Sequence, residues 1–113
     1  MTLVYEFEIP KNTPESSTLK KSYDLGVNGA IIKSLKVRIP KGHKGLTYLN
    51  VRIPSKQLLP SSFSNVYFVR GDNEIKETGV INVRVDGPPY NLLVEGYNED
   101  TFLNHSFIIE VEI

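Results

Sequence analysis

The stretch KVRIPKGHKGLTYLNVRIP, residues 36–54, holds one tetrapeptide twice, as Val37-Arg38-Ile39-Pro40 and as Val51-Arg52-Ile53-Pro54. In each copy two β-branched residues flank an arginine, so on an extended chain Val and Ile share one face and Arg takes the other. The proline that follows has no N–H for a neighbouring strand, so it ends the ladder. A looser copy, Asn82-Val83-Arg84-Val85, lies farther on, and the first apolar run also closes in Ile9-Pro10. The repeated element is therefore an architectural one, a strand with a buried face and a fixed end.

The same period of two runs outward from this stretch to both termini. In TLVYEFEI the residues Leu3, Tyr5, Phe7 and Ile9 share a face opposite Glu6 and Glu8, and in HSFIIEVEI the residues Phe107, Ile109, Val111 and Ile113 alternate with Ile108, Glu110 and Glu112. Strands are also expected in IIKSLKVRI, LTYLNVRI, VYFVR, VINVRV and NLLVEGY, with a short one near Lys21 to Leu25. The connections PKNTPESS, PKGHKG, PSKQLLPSSFSN, GDNEIKETG, DGPPYN and NEDTFLN are rich in Gly, Pro, Asn, Asp and Ser, which supply turn geometry. No segment sustains a helical period. The expectation is an all-β chain: a single antiparallel β-sandwich of seven to eight strands, jelly-roll or immunoglobulin-like, spanning residues 1–113, with residues 10–22 as an extended arm or a long loop. Its core should contain Tyr5, Phe7, Leu35, Val37, Ile39, Val51, Ile53, Val83, Val85, Leu92, Val94, Phe107, Ile109 and Val111. The outward Arg38, Arg52 and Arg84 should lie opposite the outward glutamates of the two terminal strands, each such pair contributing roughly 0.2–1 kcal/mol.

Composition narrows the function. At 113 residues the chain is large enough for one real core. Thirteen basic residues balance thirteen acidic ones, so nothing steers it to nucleic acid or to an anionic membrane. Cysteine is absent, which removes disulfide and thiolate chemistry. The start MTLVYEFEIPKN has neither a basic leader nor a long apolar core, and no run approaches the roughly 18 apolar residues of a membrane span, so a soluble protein made without a signal peptide is expected.

Chemical constellations give little purchase. The only histidines, His43 in a Gly-flanked loop and His105 at the start of the last strand, do not make a zinc pattern, and neither G-x-S-x-G nor a phosphate-binding Gly-rich loop occurs. The glutamates of YEFEI and IEVEI alternate on strand exteriors, as solubilising side chains do. No catalytic residue, cofactor or metal is expected, and the protein is not read as an enzyme. Arg70-Gly71-Asp72 matches an adhesion tripeptide, yet RGDNE reads as a tight turn. Asn98, Glu99 and Asp100 gather oxygens without the spacing of a calcium loop and read as a hairpin tip. Asn104-His105-Ser106 fits a glycosylation sequon, to which no role is assigned.

From Gly29 to the C-terminus the chain carries GAIIKSLKVRIPKGHKGL, QLLP, RGDNEI and PPYNLLVEGYNEDTFLNHSFIIEVEI. In this order of features it resembles small β-sandwich structural proteins from tailed and tailless viruses of bacteria and archaea. The resemblance implies a virion component, a capsid decoration or minor capsid protein, made in the host cytoplasm and partnered by itself or by a major capsid protein as a homo-oligomer or lattice-bound subunit. The expected interaction surface comprises Glu6, Glu8, Arg70, Asp72, Asn98, Asp100, Glu110 and Glu112. The alternative is a carbohydrate- or receptor-binding sandwich using exposed tyrosines among Tyr48, Tyr67, Tyr90 and Tyr97, since an aromatic face can stack on a sugar.

Overall fold

A computed structural model describes residues 1–113. Eight strands make two four-stranded antiparallel sheets: β1 (Thr2–Ile9), β2 (Leu19–Asp24), β3 (Ile31–Ile39), β4 (Thr47–Ile53), β5 (Lys56–Leu59), β6 (Glu74–Arg84), β7 (Asn91–Asn98) and β8 (His105–Glu112). The first sheet has the order β1-β8-β3-β6 and the second β2-β7-β4-β5. Helical structure is confined to two short 3-10 turns, Glu15–Ser17 and Val27–Ala30. No helix is long and apolar enough to cross a membrane.

The strands ending in Ile-Pro close as their sequence dictates, β1 at Ile9, β3 at Ile39 and β4 at Ile53. Their alternating inward residues meet in one core of 19 buried side chains drawn from both sheets. Twelve of the fourteen expected core residues are buried; Tyr5 and Val83 pack against the cluster only half-buried. Both lie on edge strands, where one side of the side chain is left open. Ile9, Leu25, Ile32, Leu49, Leu58, Leu59 and Ile113 complete the core beyond the expected set.

Several segments fold differently from expectation. Lys56–Leu59 and Glu74–Gly79 were expected as loop and are strand. The left-handed residues Gly79 (φ 71°) and Asn82 (φ 46°) mark irregularities within β6 and not its end, so glycine there bends an edge strand that continues on both sides. VYFVR, in contrast, makes only a single bridge, Leu49 to Val69, at the margin of the second sheet. Residues 10–22 form no free arm. Thr13 bridges to Asn98, Asn12 N–H donates to the Asp100 carbonyl, and from Leu19 the chain is β2, paired with β7.

The arginine expectation holds for one residue of three. Arg38 reaches Glu110 at 3.3 Å across β3 and β8. Arg52 belongs to the other sheet, and Arg84 stands opposite Ile31. Strand order, which is non-local, separates them from the terminal glutamates.

Candidate functional site

The outer face of the second sheet is built in rows by its register. Lys20, Glu95 and Asn50 form one row across β2, β7 and β4, and Ser22, Leu93 and Arg52 form the next. Each is outward because its neighbours, such as Val51 and Val94, point into the core. Tyr48 and Tyr97 form a third row, stacked with ring centroids 4.1 Å apart and planes 5° from parallel. Phe68 meets both rings edge-on, Tyr67 meets Phe68 in the same way, and the Arg70 guanidinium lies 5.3 Å from the Tyr48 ring centre. Burial, first among several causes, pushes the Tyr97 hydroxyl up to about 12, so it stays protonated.

Beside these rings runs an open groove of about 490 Å³ whose walls include Lys20, Ser22, Arg52, Tyr67 and Glu95. The Glu95 carboxylate accepts from the Tyr67 hydroxyl on one oxygen and from Thr18 Oγ1 on the other. That bond to Glu95 chiefly raises the Tyr67 hydroxyl above its ordinary value, with Arg52 partly offsetting it. Asn50 donates from Nδ2 to the Tyr67 carbonyl, while its buried Oδ1 accepts no bond. Lys20 and Arg52 have no carboxylate within ion-pair distance; the pairs in the molecule are Met1–Glu112, Arg38–Glu110, Lys76–Glu74 and His105–Asp100.

Most residues of the expected interaction surface are engaged within the chain. Arg70 donates to the Tyr48 hydroxyl at 2.9 Å. Asp72 accepts the Gly42 amide at 2.8 Å, and backbone amides of Lys44, Gly42 and His43 hold its carboxyl below the ordinary range. With Gly45 N–H bonded to the Gly71 carbonyl, the RGD segment braces the β3–β4 loop. Asn98 is buried and not at a hairpin tip; its amide joins the Ile9 and Leu103 carbonyls. Asp100 accepts from the Phe102 and Leu103 amides and pairs with His105 Nε2 at 2.8 Å. Glu112 holds the N-terminal amine and Thr2, and Glu110 holds Arg38. Glu6 and Glu8 are exposed and free of ion pairs.

The two histidines, 62 positions apart in sequence, meet at one end of the sandwich with rings 4.6 Å apart. His43 Nε2 bonds to the Ser106 carbonyl, which only N–H can do, so Nδ1 is the acceptor for the Thr47 hydroxyl. Burial, and then the neighbouring His105, lower the pKa of His43. With both ring nitrogens taken, His43 has no lone pair left for a metal ion.

No protein-family model matches the chain, and no curated protein is significantly similar to it. Of the groove, sequence reasoning reached Tyr67 as a candidate aromatic and Arg52 as an outward arginine, but not Lys20 or Glu95. Alternation marks both as outward. What brings them beside Arg52 is the β2-β7-β4 neighbour order, which no local pattern encodes. Of the tyrosines grouped from sequence as exposed, Tyr97 is buried and Tyr90 packs half-buried against the core.

Proposed function

We propose that the chain is a virion structural protein, a capsid decoration or minor capsid component that acts by assembly with itself or with a major capsid protein. The observation that carries this reading is the side of the sandwich where β1 and β2 lie. Both are edge strands, held together there by the Tyr5–Tyr23 contact, with centroids 4.5 Å apart, and by the Tyr23 hydroxyl donating to the Glu6 carbonyl. Glu6 and Glu8 stand beside Lys20 and Lys21 along one cleft. A twofold partner would set acidic β1 against basic β2 in both directions, a self-complementary arrangement of the kind closed dimers require. The outward charges guard the open edges against indiscriminate pairing while leaving a register for a chosen partner.

Strand order supports the finer fold assignment. In β1-β8-β3-β6 and β2-β7-β4-β5 the first strand neighbours the last, as in the eight-stranded jelly roll used by viral capsid and lectin domains, whereas the immunoglobulin order pairs first with second. We therefore read the sandwich as a jelly roll. Solvent-exposed apolar tips, Phe63 at 97% and Phe102 at 82% exposure, offer further contacts for a lattice.

The double substitution Glu6→Lys with Glu8→Lys tests the reading. Both side chains point outward, so stability should change by no more than about 0.5 kcal/mol. Assembly measured by light scattering should fall sharply at low salt; unchanged assembly would count against this edge. A second reading, a lectin-like module, is favoured by the gathering of Tyr48, Tyr67, Phe68 and Tyr97 on one sheet face.

A further inference from the structure

We infer that the groove on the outer face of the second sheet binds a sugar bearing a carboxylate, such as a uronic acid unit of an acidic polysaccharide. The inference rests on the lectin-like reading, and it names a ligand class that assembly does not require.

Three features converge. The first is shape: at about 490 Å³ the groove falls within the roughly 300–1,000 Å³ of small-ligand sites, and it is open along one side, as a chain-like ligand needs. The second is an apolar plane. Tyr67 is 50% exposed, and its ring is fixed by the hydroxyl bond to Glu95 and by the edge contact with Phe68, so a flat surface is held ready for the C–H face of a pyranose. The third is charge. Lys20 and Arg52 line the same groove without ion-pair partners in a chain of zero net charge, and Arg52 can take a carboxylate through two parallel N–H donors.

Glu95 decides between anions. Its two oxygens are already fixed by Tyr67 and Thr18 and keep lone pairs to accept from sugar hydroxyls, as the Ser22 hydroxyl can also do. A phosphate dianion placed among the same groups would sit beside that carboxylate and be repelled, whereas a sugar can turn its hydroxyls to Glu95 and its single carboxylate to Arg52. Lys20 stands opposite Glu95 across β2 and β7, and Arg52 acts on the same Tyr67 hydroxyl as Glu95, so hydroxyl acceptors and cationic donors lie side by side, as a hydroxylated ligand with one carboxylate needs.

The test is a nitrogen-15 NMR titration of the full chain with D-glucuronate, D-glucose and acetate, repeated on Arg52→Gln and Tyr67→Ala, with thermal melting to verify folding. Glucuronate is expected to shift the amides of Lys20, Arg52, Tyr67 and Glu95, binding at least about tenfold more tightly than glucose or acetate, in line with the gain from one charge-assisted bond. Arg52→Gln should bring glucuronate down to the level of glucose, and Tyr67→Ala should weaken both sugars. Equal binding of glucose and glucuronate would overturn the acidic-sugar assignment while leaving the lectin-like reading in place. Equal binding of acetate and glucuronate would reduce the site to a charge patch and overturn the assignment. Absence of shifts with either sugar would overturn the assignment and the lectin-like reading together.

Discussion

A neutral histidine locked between Thr47 and the Ser106 carbonyl makes the end of the sandwich sensitive to acid. The folded pKa of His43 lies below its unfolded value, so between the two the unfolded chain binds more protons and stability rises with pH. Above the ordinary histidine value of about 6.5 the residue contributes no slope, and below it the fold loses stability as the pH falls towards the folded pKa. The charged and titratable neighbours are His105, 4.6 Å away, Asp72, and Asp100 through its pair with His105. Urea melts at pH 7.5 and 5.5 should show a loss on acidification, and His43→Gln should flatten it; an equal slope in the variant would show that another group governs it. Burial separates two other residues. Ile109 is fully buried and Val83 only half-buried, so Ile109→Ala should cost about 2–5 kcal/mol and Val83→Ala nearer 1, read from urea midpoints. Equal costs would mean that the alternation of β6 has been placed wrongly.

At the scale of elements, what could be read from sequence divides along the line between local and non-local causes. The ends of β1, β3 and β4 were legible because a proline after a β-branched residue acts on its own strand. The polar strand β6 was half hidden, since Gly79 signals a turn locally while the pairing of Ser34 with Val80 keeps the strand in its sheet. Asn98 misled in the same way: an asparagine near a turn reads as a tip, and here it is the buried clamp that ties the end of β1 to the β7–β8 loop. Asn98→Ala removes both bonds and the one its Oδ1 accepts from the Asp100 amide, and leaves the two carbonyls short of a donor, so a loss of about 1–3 kcal/mol is expected by thermal or urea melting. A near-neutral result would show that water takes over both bonds. Gly96 is more demanding, because a Cβ there would come within 2.3 Å of the Tyr48 carbonyl oxygen on the neighbouring strand. Gly96→Ala should cost on the order of 1–3 kcal/mol or more and disturb the Tyr48–Tyr97 stack, visible in near-ultraviolet circular dichroism.

For the whole molecule, length indicated a single domain and periodicity a β one, and the two sheets share one core; the charged β1–β2 edge and the groove arise only once strand order is known. Glu6 and Glu8 come from the first ten residues, yet they acquire Lys20 and Lys21 as companions because β1 and β2 become the edges of different sheets on one side. The groove on the outer face of the second sheet is equally a product of topology, joining β2, β7, β4 and the residues around Tyr67. On the function proposed above, the charged edge formed by β1 and β2 exists to assemble. Sedimentation velocity on the purified chain over a wide concentration range, alone and mixed with any virus-like particle encoded beside it, checks this reading. A concentration-dependent oligomer, or co-sedimentation with the particles that Glu6→Lys with Glu8→Lys abolishes, is the expected result; a chain that stays monomeric throughout and leaves the particles bare would contradict it.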